Sequence, residues 1–142
     1  MLANLSSIVN VADENGSLSY ECYTDGRVKG RVPDEAGLIA ATNHFVDPTW
    51  GPIAPPDATT IARRDNLLAR ARESKGGIDA ARMMRIFDMA LLDKDGNVDP
   101  QGGATVDGTI YQVAAVPRDR TIYVKAPGVF DWQKIELRAL FN

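Results

Sequence analysis

The chain has one cysteine and one histidine. A single cysteine cannot form an internal disulfide, and neither a multi-cysteine site nor a histidine-rich zinc site can be built from these residues. Gly102-Gly103 is too short to be a phosphate-binding loop, and no serine lies in a nucleophile elbow. The sequence therefore shows no complete catalytic set, and we expect neither a metal nor another cofactor.

Long apolar runs and a basic excess are also missing. No run approaches the roughly 20 apolar residues that a membrane-spanning helix needs, and the stretch from Met1 to Ser7 has neither a basic region nor a long apolar one. The net charge is −3, with no cluster of lysine or arginine, which argues against a nucleic-acid partner. We expect no membrane or nucleic-acid partner and a cytoplasmic location.

What remains is an ordinary globular composition. The 142 residues are 44% hydrophobic and 25% charged, as in typical soluble domains. A domain of this length buries roughly two-thirds of the surface of its unfolded chain, which is enough for a core. We expect one domain covering residues 1–142.

The first third of the chain has the pattern of an antiparallel meander. Turn signals at Asn15-Gly16 and Asp25-Gly26 separate three short segments. In the middle segment Leu18, Tyr20 and Cys22 alternate with polar residues, which predicts that these three share a face turned to the core. Without a cationic neighbour a buried thiol stays protonated, so this pattern favours a small core residue at Cys22 over a nucleophile.

Two helices follow a proline-rich loop. The periodicity predicts helices over 59–73 and 80–92, with Asp79 as the N-cap of the second. Trp50 in the loop either anchors it to the core or lines a pocket, and large aromatic residues favour anchoring. Residues 93–99 are acidic but lack the glycine and glutamate spacing of a calcium loop, so we interpret them as an acidic loop.

Three further strands are predicted near 109–116, 121–125 and 132–140. An order of strands, two helices and more strands is typical of an α+β fold. We therefore expect an antiparallel sheet with the two helices on one face.

The stretch Gly37 to Phe45 holds the most suggestive polar residues. The apolar run from Leu38 is predicted to be a buried strand that delivers Thr42, Asn43 and His44 at its end. An asparagine fixed there can donate its amide hydrogen to a developing oxyanion. Alternatively, Asn43 and His44 form only local hydrogen bonds at the start of the next loop.

Four motifs in order resemble the C-terminal half of one enzyme family. They are Thr42-Asn-His-Phe45, Thr59-Thr-Ile-Ala-Arg63 at a helix start, Thr109-Ile-Tyr-Gln-Val113, and the closing stretch from Trp132 to Phe141. The family holds choloylglycine hydrolase, penicillin V acylase and acyl-coenzyme A:6-aminopenicillanic acid acyltransferase, which are N-terminal-nucleophile hydrolases acting on linear amides. The resemblance implies half of an αββα sandwich.

The resemblance also implies roles for individual residues. Asn43 matches the asparagine that contacts the tetrahedral intermediate, and Arg63 matches the arginine beside the nucleophilic cysteine. A fixed guanidinium near a thiol favours the thiolate. Without the resemblance, Arg63 would read as a solvated arginine beside Arg64. The family pattern further implies substrate contacts by four nearby residues, namely His44, Phe45, Thr59 and Thr60.

The nucleophile of such an enzyme is absent from this sequence. In the family it is a cysteine exposed as the first residue by processing, and its own α-amino group is the base. Here Met1 is followed by Leu2. One expectation is therefore the C-terminal half of an amide hydrolase, inactive alone and acting on a small-molecule amide when a nucleophile-bearing half completes it. The alternative is a non-catalytic binding or assembly module that reuses the half-fold.

A half-fold should leave sheet surface uncovered. We expect an exposed apolar sheet face and an unpaired edge, and both favour association with another chain. The expected result is a homodimer or higher oligomer with residues 18–22 or 109–113 at or near the contact.

Overall fold

The computed structural model describes residues 6–50, 58–74, 77–89, 91–92, 98–99 and 109–140. Within these ranges the chain forms three antiparallel sheets and two α-helices, which confirms the α+β class. The elements in chain order are β1 (Ser7–Ala12), β2 (Ser17–Cys22), β3 (Val28–Arg31), α1 (Ala58–Arg72), α2 (Ala80–Asp88), β4 (Leu91–Leu92), β5 (Val98–Asp99), β6 (Gln112–Val116), β7 (Thr121–Ala126) and β8 (Phe130–Glu136).

The N-terminal sheet is the predicted meander, with strand order β1-β2-β3. The carboxylate of Asp13 closes the first turn by accepting from the backbone N–H groups of Asn15 and Gly16 at 2.7 and 2.9 Å. Gly26 has φ +87° in the second turn, a conformation that glycine adopts at little cost. Both turns join neighbouring antiparallel strands, so the hairpin predictions are confirmed.

The buried face of β2 is the opposite of the predicted one. Ser19 and Glu21 are fully buried, whereas Leu18, Tyr20 and Cys22 are only partly so. On the same face as these three, Val9 and Val28 are 46% and 57% exposed. The reason is that residues 40–50 pack over the polar face of the sheet and supply hydrogen-bond donors to it. Alternation shows that a strand has two faces but not which one the chain covers.

The C-terminal sheet has strand order β6-β7-β8, and α2 covers one of its faces. The ring of Phe87 stacks on Trp132 with centroids 6.4 Å apart. Asp88 accepts from Trp132 Nε1 at 3.0 Å and pairs with Lys125 at 2.9 Å. The opposite face is mostly apolar. The strand register places Val113, Ala115, Ile122, Val124 and Ile135 on it, together with the uncharged Gln133.

The helices match the prediction at three of their four ends to within one residue. α1 extends from Ala58 to Arg72, and the Asp79 side chain caps α2 by accepting from Arg82 N at 2.7 Å. The second helix ends at Asp88 rather than at position 92, because the backbone of Met89 is extended. Leu91–Leu92 pairs instead with Val98–Asp99 in a two-stranded ribbon.

Several predicted strands have different bounds. The strand predicted over 109–116 begins at Gln112, and the last strand is Phe130–Glu136 followed by a 3₁₀ turn at Arg138–Leu140. The strands form two separate three-stranded sheets rather than the single sheet expected. The acidic residues 93–97 lie outside the described part of the chain.

The predicted strand Leu38–Thr42 is wrong. Residues 38–41 pair with no strand, and Thr42 and His44 occur only in an isolated bridge. A closed turn precedes the segment, since the carboxylate of Asp34 accepts from Leu38 N at 3.0 Å and Gly37 has φ +75°. Arg31 Nη2 donates to the carbonyl of Ala40 at 3.3 Å, so a side chain takes the place of a strand partner.

No helix in the described ranges is both long and apolar enough to cross a bilayer.

Candidate functional site

A cavity of about 230 Å³ lies where the end of the 40–43 segment, both helices and β6 meet. Side chains with hydrogen-bonding groups and apolar side chains both contribute to its wall. The lining residues are Ala41, Thr42, Asn43, Arg63, Leu67, Phe87, Thr109, Tyr111, Gln112 and Val113.

Asn43 is held at the cavity by its backbone. Its N–H donates to the hydroxyl of Thr60 at 2.8 Å, and the hydroxyl of Thr42 donates to the carbonyl of Thr60 at 2.8 Å. Thr60 is only 2% exposed, so this attachment is buried. The side chain of Asn43 is exposed and makes no hydrogen bond to the described residues. Its amide is therefore available to a ligand in the cavity.

Arg63 reaches the same cavity from α1. It follows Thr60 by three residues and precedes Leu67 by four, and side chains at this spacing share one helix face. The structure thus brings the two residues predicted to be catalytic into the lining of one cavity. Of the local hydrogen bonds given as the alternative, the structure has one at His44, whose Nδ1 lies 3.1 Å from Thr42 Oγ1, whereas the backbone N–H of Asn43 reaches Thr60 in α1.

His44 points away from the cavity toward α1. Its Nδ1 lies 3.1 Å from Thr42 Oγ1 and 3.3 Å from Thr60 Oγ1, while Nε2 lies 3.3 Å from Arg64 Nη1. A guanidinium can only donate, so Nε2 accepts and Nδ1 carries the proton. Burial lowers the pKa of His44, and the charges of Arg64 and Arg31 lower it further. The neutral imidazole thus bridges the loop and α1 through its two ring nitrogens.

Phe45 is part of an aromatic cluster outside the lining of the cavity. Its ring stacks on Trp50 with centroids 5.0 Å apart, and Tyr23 lies 6.1 Å from Phe45 and 5.8 Å from Trp50. Trp50 is 5% exposed, which confirms that it anchors the loop. Arg27 and Lys29 lie over its ring at 5.3 and 4.6 Å.

Three of the residues assigned to substrate binding, His44, Phe45 and Thr60, are not among the described residues that line this cavity. The hydroxyl of Thr60 accepts from the backbone of Asn43, His44 contacts α1, and Phe45 packs in the aromatic cluster. Thr59 lies in the first turn of α1. Three of them support the loop that carries Asn43, and their contact with a substrate stays a prediction.

The sequence analysis assigned no role in the site to the residues of β6 that form the far wall of the cavity. Gln112 is 8% exposed and its Nε2 donates to the carbonyl of Phe87 at 3.2 Å, which ties β6 to α2. Tyr111 beside it is 65% exposed. The stretch Thr109–Val113 is one of the four motifs of the resemblance, but nothing in the sequence shows that Gln112 is buried against α2.

The cavity is rich in hydrogen-bond donors and has no thiol. The amide of Asn43 and the guanidinium of Arg63 can stabilise negative charge on a ligand. Cys22 lies in β2 and outside the lining. No group of three or more His, Cys, Asp or Glu side chains that could hold a metal ion occurs among the residues that the structure describes. The arrangement can orient and polarise a carbonyl group, but the described residues of its lining include no thiol.

Comparison of the chain with protein-family models, with characterised proteins and with solved structures finds no match.

Proposed function

We propose that this chain supplies the anion-stabilising part of the active site of an amide hydrolase or acyltransferase, and that a cysteine-bearing segment completes it. The observation that carries the proposal is that Asn43 and Arg63 line the same cavity. Both were selected from the sequence because they match the choloylglycine hydrolase and penicillin V acylase pattern. Two residues 20 positions apart in the chain have no local reason to meet.

Each group has a defined part in the proposed reaction. The incoming thiolate sulfur bonds to the amide carbon, and the carbonyl electrons move to the oxygen. Asn43 donates its side-chain N–H to that oxyanion. The electrons then return, the carbon–nitrogen bond breaks, and the amine leaves with the proton that the base took from the thiol, so that the acyl group is left on sulfur as a thioester. Water or a second amine then attacks the thioester carbon and gives up a proton to the base, the carbon–sulfur bond breaks, and the thiol is restored as the acid or the new amide leaves. Arg63 favours the thiolate before the attack because its positive charge stabilises a nearby anion.

The proposed site needs more than the residues that line the cavity, because the reaction requires a thiol and Cys22 lies outside the lining. In the proposal the described residues form one wall of the site, and the cysteine-bearing segment supplies another. The substrate class is a small-molecule amide whose carbonyl oxygen faces Asn43.

Binding and turnover test this proposal separately. By NMR, penicillin V added to the labelled chain should shift the Asn43 side-chain amide, and Asn43→Ala and Arg63→Ala should weaken binding at least tenfold. Arg70→Ala is the matched control, since Arg70 lies on α1 outside the cavity and pairs with Glu73. Equal binding by all variants would contradict the proposal.

Turnover is expected only from a completed site. The purified chain should not hydrolyse penicillin V or a bile-salt amide, whereas adding a cysteine-bearing partner segment should produce hydrolysis. Hydrolysis by the chain alone that Cys22→Ala abolishes would refute the assigned nucleophile and the proposed division of labour.

A second candidate function is assembly, and the sheet faces favour it. We propose that the chain forms a homodimer or higher oligomer by packing these faces. The uncovered face of the C-terminal sheet is mostly apolar, and the N-terminal sheet has a matching face that includes Val9, Val11 and Val28. The strand residues on both faces carry no charge, so a second copy of the chain can cover them without desolvating an ion. Uncovered apolar area of this kind is unusual on a monomer.

The oligomeric state decides this second candidate. Light scattering after size exclusion should give at least twice the mass of one chain at micromolar concentration. Val113→Lys should produce monomers, because Val113 is 43% exposed on the C-terminal face. Val129→Lys should not, since Val129 is already 82% exposed and lies between β7 and β8. A wild-type chain that stays monomeric would overturn the proposal.

A further inference from the structure

Glu21 is a fully buried carboxylate in the middle of the N-terminal sheet. It accepts three hydrogen bonds and pairs with one cation. Oε1 lies 2.7 Å from the backbone N of Val46, and Oε2 lies 3.3 Å from the N of Asp47 and 2.5 Å from Trp50 Nε1. Arg31 Nε lies 2.9 Å from Oε1 as an ion pair, without hydrogen-bond geometry.

All three hydrogen-bond donors come from the loop that follows Asn43. A buried carboxylate without hydrogen bonds is costly, and replacing the lost donors with water would require opening the sheet. In the structure, residues 46–50 bring two backbone N–H groups and the indole of Trp50 to the same carboxylate. Glu21 therefore selects one conformation of this part of the loop.

The other end of the loop is fixed by the same pair of charged residues. Arg31, which pairs with Glu21, donates through Nη2 to the carbonyl of Ala40 at 3.3 Å. Between these two attachments the loop is held at Asn43 by Thr60. Asn43 stands three residues after Ala40 and three before Val46, so it lies midway between two anchors that meet at one ion pair.

We propose that Glu21 is the positioning residue of the candidate site: through Arg31 at one end and residues 46–50 at the other, it sets where Asn43 presents its amide. Glu21 does not line the cavity, so it acts through the loop and not on a ligand. The inference rests on the proposed function for the role of Asn43 toward a substrate, but the position of the loop can be measured without any ligand.

The experiment compares Glu21→Gln with a control substitution at another buried polar residue. Glutamine keeps the size of the side chain but removes the charge opposite Arg31 and places an N–H₂ group where donors already point. Thr121→Val is the control, because Thr121 is 5% exposed in the C-terminal sheet and its hydroxyl donates to the carbonyl of Asp119 at 3.2 Å, far along the chain from the loop. Full-length ¹⁵N-labelled chains are used throughout.

Three results are expected for Glu21→Gln and none for the control. Hydrogen exchange at the Val46 amide should accelerate at least tenfold more than exchange in β7. The side-chain amide resonance of Asn43, assigned with Asn43→Asp, should shift or broaden. Penicillin V affinity should fall at least fivefold. If Glu21→Gln does not fold, Trp50→Phe removes a single donor to the same carboxylate and replaces it in the comparison.

The possible failures are distinguishable. If the wild-type chain does not bind penicillin V, the proposed function fails for that amide, while the exchange and resonance data still decide the role of Glu21. If Glu21→Gln leaves the Val46 exchange rate and the Asn43 resonance as in the wild type, the positioning role is overturned. The same holds if Thr121→Val changes them equally, because the effect would then reflect general stability.

Discussion

The backbone N–H of Asn43 donates to the hydroxyl of Thr60 at 2.8 Å, across 17 residues of chain. The same threonine accepts from the hydroxyl of Thr42 through its carbonyl. One buried residue in the first turn of α1 therefore holds two consecutive residues of the loop. The helix carries Arg63 one turn later, so this contact fixes the two proposed active groups relative to each other.

Removing the Thr60 hydroxyl should destabilise the fold measurably. Thr60→Val keeps the shape of the side chain but leaves the N–H of Asn43 without its acceptor, which we expect to cost about 1–2 kcal/mol. Urea denaturation measures the difference. Thr60→Ser keeps the hydroxyl and should lose less than half as much, and equal losses for the two variants would assign the effect to packing.

Stability should depend on pH through His44. Burial and the charges of Arg64 and Arg31 lower its pKa, against smaller opposite effects of Asp65 and Glu21. The native state therefore favours neutral imidazole, and the contribution is complete above the ordinary pKa of 6.5. As the pH falls below that value toward the lowered pKa, the unfolded chain takes up the proton first and stability is lost.

The pH effect can be isolated by substitution. The free energy of unfolding, measured between pH 7.5 and pH 5, should decrease more for the wild type than for His44→Gln, which cannot titrate. An NMR titration should show a His44 pKa below that of a histidine in an unfolded peptide. A value above it would mean that Arg64 does not face Nε2 in solution.

Trp50→Phe should cost more than Trp132→Phe. Trp50 is buried and donates to the carboxylate of Glu21, and hydrogen bonds to charged groups contribute about 1.5–3 kcal/mol. Trp132 donates to the exposed carboxylate of Asp88, where water can replace the lost donor. Thermal unfolding followed by circular dichroism gives both values, and the opposite ranking would contradict the buried cluster.

Asn43→Ala should separate stability from activity. Because the side chain is exposed and has no partner among the described residues, its removal should change the free energy of unfolding by less than about 0.5 kcal/mol. In a completed enzyme the same change should lower the rate on the order of 100-fold or more, as the loss of an oxyanion donor does. A rate within threefold of the wild type would exclude Asn43 from the reaction.

Local signals in the sequence predicted the elements well. The turns at Asn15-Gly16 and Asp25-Gly26, the cap at Asp79 and the period of α1 all act within a few residues. The preferences of residues for turns, caps and helices depend on neighbours in the sequence, so they hold whatever tertiary contacts the rest of the chain makes. The bounds failed where tertiary contacts decide, as at Met89, whose extended backbone ends α2 early.

Long-range contacts account for what the sequence did not predict. The apolar run from Leu38 looked like a strand, but its hydrogen bonds go to the side chains of Asp34 and Arg31. Glu21 looked like the solvent side of an alternating strand, but the donors of residues 46–50 and the charge of Arg31 compensate its burial. Asn43 and Arg63 could be selected from the sequence, whereas the wall formed by Gln112 and Phe87 could not.

In the N-terminal sheet the polar face is covered and the apolar face is exposed, and this reversal has a calorimetric consequence. Exposure of apolar surface on unfolding raises the heat capacity, while exposure of polar surface lowers it. In the N-terminal sheet the chain covers the side with Ser19, Glu21 and Arg31 and leaves valines in water. The heat-capacity increment of the separate chain should therefore lie below the usual value of about 12–15 cal/mol/K per residue. Its stability curve would then be unusually flat, and association through the valine faces would restore the curvature.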